Sequence, residues 1–302
     1  MHMANYRIAG FPPKLLALLV ASTLTTAAGA MEVKVFAIGD FVPSGSGGCG
    51  GNDISHWPNM VDEWYDEMGS QGETKDGQYT NGTMTIERFC DPDWTAGCDD
   101  AVYIDEADAA MVAFHGSDSV DHWAGTMRNP WNGECALDAG GSGVNMSVGD
   151  LDLEFFHASS CQSADDDNLD GIRNAMTDPV DGGFAHQWDG FHGLMWIGTD
   201  FDNDYEDFAD DAHSVAMADA WVTNHYHSNS VDCESYDWFN WFGTCDDQCP
   251  VAYSISTSES DALTRLEHER YNNVYSDPTG NNWYAFMYME NCDPVGENTF
   301  NP

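Results

Sequence analysis

The sequence predicts a single α/β domain with a largely parallel sheet and helices on both faces. Short apolar segments alternate along the chain with amphipathic segments of helical period, an arrangement typical of βαβ units. The chain has 302 residues, 42% of them hydrophobic, which is enough to bury one sizeable core. No internal repeat and no long linker divides it. We therefore expect one compact unit rather than two.

The first predicted helix has the clearest pattern. Ser55 is a suitable N-cap, Pro58 would lie in the first turn, and Gly69 is suited to end the helix. The apolar residues follow a 3.6-residue period, at i, i+3, i+4, i+7 and i+11. These residues are Trp57, Met60, Val61, Trp64 and Met68.

The other elements follow in chain order. The continuous apolar run at 109–114 predicts a strand that is buried on both faces. Ser256 and Glu259 are predicted to form a capping box for a late helix. The predicted strands are 32–38, 83–89, 109–114, 151–160, 191–198, 251–255 and 283–289. The predicted helices are 57–68, 120–127, 168–176, 205–221 and 256–270. Segments 70–82 and 129–149 are predicted loops, and 223–249 is a predicted insertion held by disulfides.

The charge of the chain excludes several classes of partner. Asp and Glu number 52 against nine Lys and Arg, a formal charge of −43. Nucleic acid and anionic membrane surfaces would be repelled, so neither is expected as a partner. The acidity is spread along the whole chain, which favours a protein adapted to high salt, where self-repulsion is screened. An ordinary acidic secreted protein is the alternative.

The first 30 residues have the features of a secretory signal peptide. Arg7 and Lys14 are the basic residues, 15–24 is a short apolar run, and Ala28-Gly29-Ala30 is a suitable cleavage site. The apolar run is shorter than the roughly 20 residues that span a bilayer. We therefore predict a secreted or periplasmic protein comprising 31–302. It would carry seven basic and 52 acidic residues, a formal charge of −45.

The cysteine count is odd. Export would place the nine cysteines in a compartment that permits disulfides, where eight can pair and at least one thiol remains. We predict four disulfides, with Cys161 as the free thiol. Cys245 and Cys249 are expected to pair with distant partners such as Cys233 or Cys292, without an assigned connectivity.

Two predicted strands end in residues capable of chemistry. One strand is followed by His115-Gly116, and a later strand ends in Ser160-Cys161. If the two strands are parallel neighbours, both pairs lie at the same edge of the sheet. An imidazole beside a thiol can take its proton, because the thiolate is the nucleophile. The N–H groups of Gly116 and Cys161 would then be placed to hold an oxyanion.

This pattern resembles the caspase-like cysteine peptidases, the group of caspases, legumain, gingipains, clostripain and separase. The segments that carry the resemblance are AAMVAFHGS (109–117) and LEFFHASSCQSA (153–164), with lead-in DEAD (105–108) and later segment FHGL (191–194). The last two also resemble uncharacterised secreted bacterial proteins with this fold. The resemblance implies a three-layer α/β/α sandwich and peptide-bond hydrolysis. It implies His115 as general base, Cys161 as nucleophile and Gly116 as oxyanion donor. It implies no substrate specificity.

Other histidines compete with His115 for these roles. His157 lies four residues before Cys161, about 13 Å along a strand, which is too far for proton transfer. His192-Gly193 is a second His-Gly pair, but it is expected at the start of its strand and hence at the opposite edge. His225 and His227 are candidate zinc ligands, and His186 and His213 are the candidates for a further ligand.

A calcium site is possible after Cys161, although the peptidase chemistry would require no cofactor. Asp166, Asn168, Asp170 and Gly171 follow a D-x-N-x-D-G calcium-loop pattern, but the twelfth position is Thr177 rather than an acid. Asp166, Asn168 and Asp170 are the candidate ligands.

The sequence supports two functional hypotheses. The first is an exported peptidase that acts on protein or peptide substrates through Cys161 and His115. The second is a catalytically silent secreted binding or scaffolding domain on the same fold. The aromatic cluster at 236–242 would be its binding surface, although such clusters more often pack beneath a loop. The oligomeric state stays open.

Overall fold

The computed structural model is a mixed α/β fold built around one large, mostly parallel sheet. It describes residues 4–10, 30–118, 122–140, 144–149, 151–177, 183–228, 247–289 and Cys292. Most of the predicted insertion at 223–249 and all of the aromatic cluster at 236–242 lie outside these residues.

Twelve strands and five helices are described here. The strands are β1 (Ala4–Gly10), β2 (Glu32–Ala37), β3 (Thr74–Thr80), β4 (Ala109–Ala113), β5 (Gly116–Asp118), β6 (Trp123–Trp131), β7 (Glu134–Ala139), β8 (Val144–Asn145), β9 (Phe155–Ser159), β10 (Gln187–His192), β11 (Cys249–Ser256) and β12 (Trp283–Met289). The helices are α1 (Trp57–Gln71), α2 (Leu169–Ala175), α3 (Asp202–Asp211), α4 (Met217–Asn224) and α5 (Glu259–His268).

The large sheet has the strand order β1-β12-β11-β10-β9-β4-β2-β3. The five strands from β3 to β10 run parallel, and β11, β12 and β1 add antiparallel pairs at one side. β4 and β9 lie in the middle of this sheet and are buried along their whole length. This is why the segments 109–113 and 155–159 lack the alternation of a half-exposed strand.

One face of the sheet is covered by helices. The apolar stripe of α1, with Trp57, Met60, Val61, Trp64 and Met68 all buried, packs on the strands together with α3, α4 and α5. The helix continues through Gly69 to Gln71 and is capped by Gly72, whose φ of 105° lies in the left-handed region that glycine tolerates. The predicted α1 is therefore confirmed, although its last turn is longer than expected.

The other face is covered mainly by a second, four-stranded sheet. Its order is β5-β6-β7-β8, and its apolar side packs on the large sheet together with the short helix α2. The expected α/β/α sandwich is therefore found only in its sheet and one helical layer, because strands cover most of the second face in the described residues. The prediction of a helix at 120–127 and a loop at 129–149 was therefore wrong. Trp123, Met127, Leu137 and Ala139 are buried, and their burial is achieved by strand pairing rather than by a helical stripe.

Three further element predictions were wrong. The strand expected at 83–89 lies earlier, at β3, because Thr74–Thr80 pairs with β2 at an edge where alternation is weak. The strand expected at 191–198 is β10, which ends at His192. The helix expected at 205–221 is interrupted between α3 and α4.

Three disulfides join described cysteines. They are Cys49–Cys135, Cys90–Cys98 and Cys249–Cys292. Cys161 is free, as predicted. Cys233 and Cys245 lie outside the described residues, so the fourth disulfide stays a prediction.

The segment expected to be a signal peptide contributes β1, which pairs with β12 at the edge of the large sheet. Cleavage after Ala30 would leave β12 as the edge strand of a seven-stranded sheet, and this cleavage stays a prediction. Among the described residues, no helix combines the length and apolar character needed to cross a membrane.

Candidate active site

The carboxyl edge of the large sheet brings together the two segments that the sequence singled out. β4 and β9 are parallel neighbours, with Ala113 paired to Ser159. His115 and Cys161 each follow the end of their strand by two residues, so both lie just beyond the same edge of the sheet. Immediately before them, the Ser160 hydroxyl donates to the Phe114 carbonyl across 2.8 Å.

The His115 ring is half-buried in an aromatic setting. Its centroid is 5.1 Å from that of Trp57 in an edge-on contact and 4.9 Å from that of Phe41. Its Nε2–H donates to the backbone carbonyl of Asn52, 2.8 Å away. Because a carbonyl can only accept, this bond fixes the proton of neutral His115 on Nε2 and leaves Nδ1 as the basic nitrogen.

The loop that carries Asn52 is held firmly at both ends. Asp53 accepts a hydrogen bond from the Phe41 N–H at 2.8 Å, and Ile54 N–H donates to the Gly39 carbonyl at 2.9 Å. The Cys49–Cys135 disulfide ties the same loop to β7 of the small sheet. The carbonyl that orients His115 is therefore part of a cross-linked loop rather than a free turn.

The Cys161 thiol packs against the helix-covered side of the sheet and is only partly exposed. Burial raises the pKa of Cys161, and the Met195 backbone N–H offsets this in part. Within the described residues, no hydrogen bond joins the Cys161 thiol to the His115 imidazole. The buried surroundings of Cys161 therefore favour its neutral thiol over the thiolate.

The backbone beside Cys161 offers two N–H groups. His115 and Thr126 form a hydrogen-bonded antiparallel pair through the Thr126 N–H. The adjacent pair, Gly116 and Gly125, is consequently of the non-hydrogen-bonded type, so the Gly116 N–H points away from β6. The Cys161 N–H has no backbone acceptor among the described residues.

Gly116 also lies directly against the backbone of the Cys161 turn. A Cβ at this position would collide with the carbonyl oxygen of Cys161 and with the Ser160 hydroxyl. Only glycine permits this approach of β5 to the end of β9. Gln162, the residue after the thiol, has a φ of 57°, a left-handed conformation that is uncommon for a residue with a side chain and concentrates at functional turns.

His192 lies at the same sheet edge as Cys161, so the prediction that it occupies the opposite edge was wrong. β10 runs parallel to β9 and ends at His192 instead of beginning there. The side chain nevertheless points to the other face. Phe191 belongs to the helix-side core, so alternation directs His192 away from that side, whereas Cys161 and Trp57, which contacts His115, lie on it.

The remaining histidines are engaged elsewhere. His157 is fully buried, with Nδ1 2.8 Å from Asp189 and Nε2 2.8 Å from the Tyr271 hydroxyl. His225 is also fully buried, which lowers its pKa to about 3, while His227 pairs with Asp204 at 2.7 Å. The other two proposed zinc ligands contact different carboxylates: His186 pairs with Glu269, and His213 pairs with Glu73. The four imidazoles do not converge, so the predicted zinc site was wrong.

The candidate calcium ligands are not gathered as the loop pattern suggested. Asp166 and Asn168 lie in one 3₁₀ turn, but α2 begins at Leu169, so Asp170 is exposed on a helix. The side chains that come together are instead Asp165, Asp166 and His192, with their ligand atoms within 4.8 Å of one another. Burial, together with the charges of Asp165 and Asp167, raises the pKa of Asp166 to about 7.

Sequence reasoning missed the groups that surround the candidate pair. Asn52 acts through its backbone, which no residue type reveals, and it is 63 residues from His115. The predicted amphipathic stripe of α1 did identify Trp57 as inward-facing, but not as a contact of His115. Asp165 was passed over because it precedes the calcium pattern.

Comparison of the chain with protein-family models, with curated proteins and with solved structures finds no match in any of the three. The fold and the site therefore define the general class of the molecule. It is an α/β protein with a free cysteine and a histidine at the carboxyl edge of a parallel sheet.

Proposed function

We propose that this protein is an exported caspase-like cysteine peptidase in which Cys161 attacks the substrate and His115 is the general base. The observation that supports the proposal best is the β4–β9 register, which puts the two residues after adjacent parallel strands. Cys161 is also free, whereas the six other described cysteines are paired in disulfides. Protein or peptide substrates are the class implied.

The proton transfer follows from the resting charge state. Because burial raises the pKa of Cys161, the thiol is protonated when substrate arrives. His115 has its Nε2 proton held by the Asn52 carbonyl, so its Nδ1 is the nitrogen that accepts the thiol proton as sulfur attacks the peptide carbonyl. The same Nδ1 then returns the proton to the leaving amine.

The charge that develops on the carbonyl oxygen also has partners. The N–H groups of Gly116 and Cys161 flank the turn, and among the described residues neither donates to a backbone carbonyl of a neighbouring strand or turn. Backbone donors that stay fixed during the reaction stabilise an oxyanion without reorganisation. The acyl-enzyme formed on Cys161 is then hydrolysed by water, and His115 again serves as the base.

The first experiment is thiol labelling, which needs no substrate. Cys161 should react with iodoacetamide in the native protein at mildly alkaline pH, and His115→Ala should suppress this reaction. Peptide mapping without reductant identifies the labelled cysteine and shows the disulfides. Finding Cys161 in a disulfide would end the proposal.

The second experiment is a peptide-library cleavage assay in high salt, with and without calcium. Cleavage that depends on Cys161 and His115 supports the peptidase. A native thiol that stays inert, together with no cleavage of any library peptide, supports the alternative of a silent binding domain. The raised pKa of Cys161 favours this alternative, because a thiol that resists ionisation is a weaker nucleophile.

A further inference from the structure

A group of three unsatisfied polar atoms lies on the face of the sheet opposite Cys161. His192 Nδ1, Asp166 Oδ1 and Asn168 Oδ1 are buried and make no hydrogen bond among the described residues, although His192 Nδ1 lies 3.3 Å from the Asp165 carboxylate. A buried polar atom without a partner costs about 1–3 kcal/mol, so three in one place call for a common explanation.

Asp165, Asp166 and His192 present their ligand atoms within 4.8 Å of one another. Among these atoms, His192 Nδ1 lies 3.3 Å from Asp165 Oδ2. Two ligands of one Zn²⁺ ion lie at most about 4.4 Å apart, because each ligand bond is about 2.0–2.2 Å long. Side-chain movements of a few tenths of an ångström would therefore bring all three atoms within reach of a single ion.

Asn168 supplies an independent observation in the same turn. It is completely buried, and its Nδ2 donates to the Gln162 carbonyl at 3.0 Å. Gln162 in turn donates its N–H to the Gly193 carbonyl, next to His192. The Asn168 amide therefore lies between the Asp165–Asp166 turn and the end of β10, and its Oδ1 remains unpaired there.

We propose that Asp165, Asp166 and His192 form a binding site for a divalent transition-metal ion of the Zn²⁺ class. The imidazole decides the class of metal, because Ca²⁺ takes oxygen ligands whereas a mixed nitrogen and carboxylate set suits zinc. The site joins the turn that follows Cys161 to the end of β10. It does not depend on the peptidase proposal, because binding is measured without catalysis.

The test is zinc binding by the full chain after treatment with a chelator. Isothermal titration with Zn²⁺ is carried out in a Cys161→Ala background, which removes the thiol as a competing ligand. We expect about one ion per chain, and a melting temperature that rises with Zn²⁺ because only the folded state binds it. Ca²⁺ at the same concentration should raise the melting temperature less than Zn²⁺ does.

His192→Ala and Asp166→Asn should each weaken Zn²⁺ binding by at least about 10-fold. The matched control is His56→Ala, since His56 contacts a single carboxylate, Asp202, at 2.7 Å at the same sheet edge. This control should keep wild-type affinity. Circular dichroism without metal shows whether each variant has folded, and Asp165→Asn replaces any variant that has not.

Three outcomes would overturn the site. They are the absence of stoichiometric Zn²⁺ binding, equal affinity in the wild type and the His192 and Asp166 variants, and equal loss in His56→Ala. Preference for Ca²⁺ over Zn²⁺ would overturn the assigned class and favour the oxygen ligands Asp166, Asn168 and Asp170 instead.

Discussion

His115 follows β4 and His157 lies inside the neighbouring parallel strand β9. Both rings contact a tryptophan of α1, but their burial and their hydrogen-bond partners differ. His157 is inside β9, completely buried, with both ring nitrogens bonded, to Asp189 and to the Tyr271 hydroxyl. His115 follows the end of β4, is half exposed, and has one nitrogen bonded to a backbone carbonyl. A fully satisfied imidazole in a core stabilises the fold, whereas one with a free basic nitrogen at a sheet edge is available for chemistry.

The network around His157 extends across the helix-covered face. Trp64 of α1 donates to the Tyr271 hydroxyl at 3.1 Å, and Gln187 donates to Asp189 at 2.8 Å. Burial raises the pKa of Asp189, although His157 opposes the shift. Each member satisfies the next, so removing one leaves a buried polar group without its partner.

The largest expected effect concerns the exposed pair. Cys161→Ala and His115→Ala should each reduce peptide hydrolysis by at least about 100-fold, because removing the general base or the nucleophile stops proton transfer or attack. The double variant should be no worse than either single one, since the two groups act as a unit. The kinetics of a cleaved library peptide provide the measurement.

The control for that experiment is His227→Ala, which removes an imidazole paired with Asp204 at 2.7 Å and should leave hydrolysis unchanged. An active Cys161→Ala protein would refute the mechanism.

The second effect concerns stability, for which His157 should matter more than His115. His157→Ala should lower the free energy of unfolding by about 3–5 kcal/mol, because it leaves the buried Asp189 carboxylate and Tyr271 hydroxyl without their hydrogen-bond partner. His115→Ala should lower it by less than about 1 kcal/mol. Urea unfolding of both variants measures the contrast. Equal losses would mean that His115 is also a structural residue.

The third effect isolates one link of the buried network. Tyr271→Phe removes the hydroxyl that contacts both His157 and Trp64. We expect a loss of about 1–3 kcal/mol in the free energy of unfolding, with no change in the labelling rate of Cys161. A change in Cys161 labelling would show that the buried network and the exposed site are coupled.

The fourth effect concerns a buried histidine of another kind. Burial lowers the pKa of His186, but the Glu269 carboxylate at 2.7 Å and the Asp277 carboxylate at 3.5 Å outweigh burial and raise it to about 9. Burial raises the pKa of Glu154 to about 8. Both groups bind protons more tightly in the folded state, so they stabilise the fold at low pH and that contribution is lost as pH rises.

The melting temperature should therefore fall as pH rises from about 6.5, the ordinary histidine pKa, to 9. Glu154→Gln should flatten this decline, because the amide does not titrate. Thermal unfolding at fixed salt concentration and varied pH measures this decline. A melting temperature that rises over this range would contradict the raised pKa values of His186 and Glu154.

The smallest expected effect is spread over the whole surface. With a formal charge of −43, the folded protein repels itself, and added salt should raise the melting temperature by screening. Thermal melts from low to molar NaCl test this. A constant or falling melting temperature would show that the acidity is not an adaptation to salt.

The sequence by itself determined the elements whose signals are local. The α1 stripe, the buried runs of β4 and β9, and the residues that follow those strands could all be identified because periodicity and composition act over a few neighbouring residues. The odd cysteine count singled out a free thiol, and the structure leaves Cys161 unpaired.

Only the tertiary structure decided what depends on distant pairing. The small sheet, the true limits of β10 and the face to which His192 points all follow from strand register, which local propensity does not specify. The same holds for the Asn52 carbonyl that orients His115 and for the meeting of Asp165 with His192. These contacts join segments that are far apart in the chain. The segments meet because both faces of the large sheet bury apolar side chains, and no pattern in either segment alone indicates the contact.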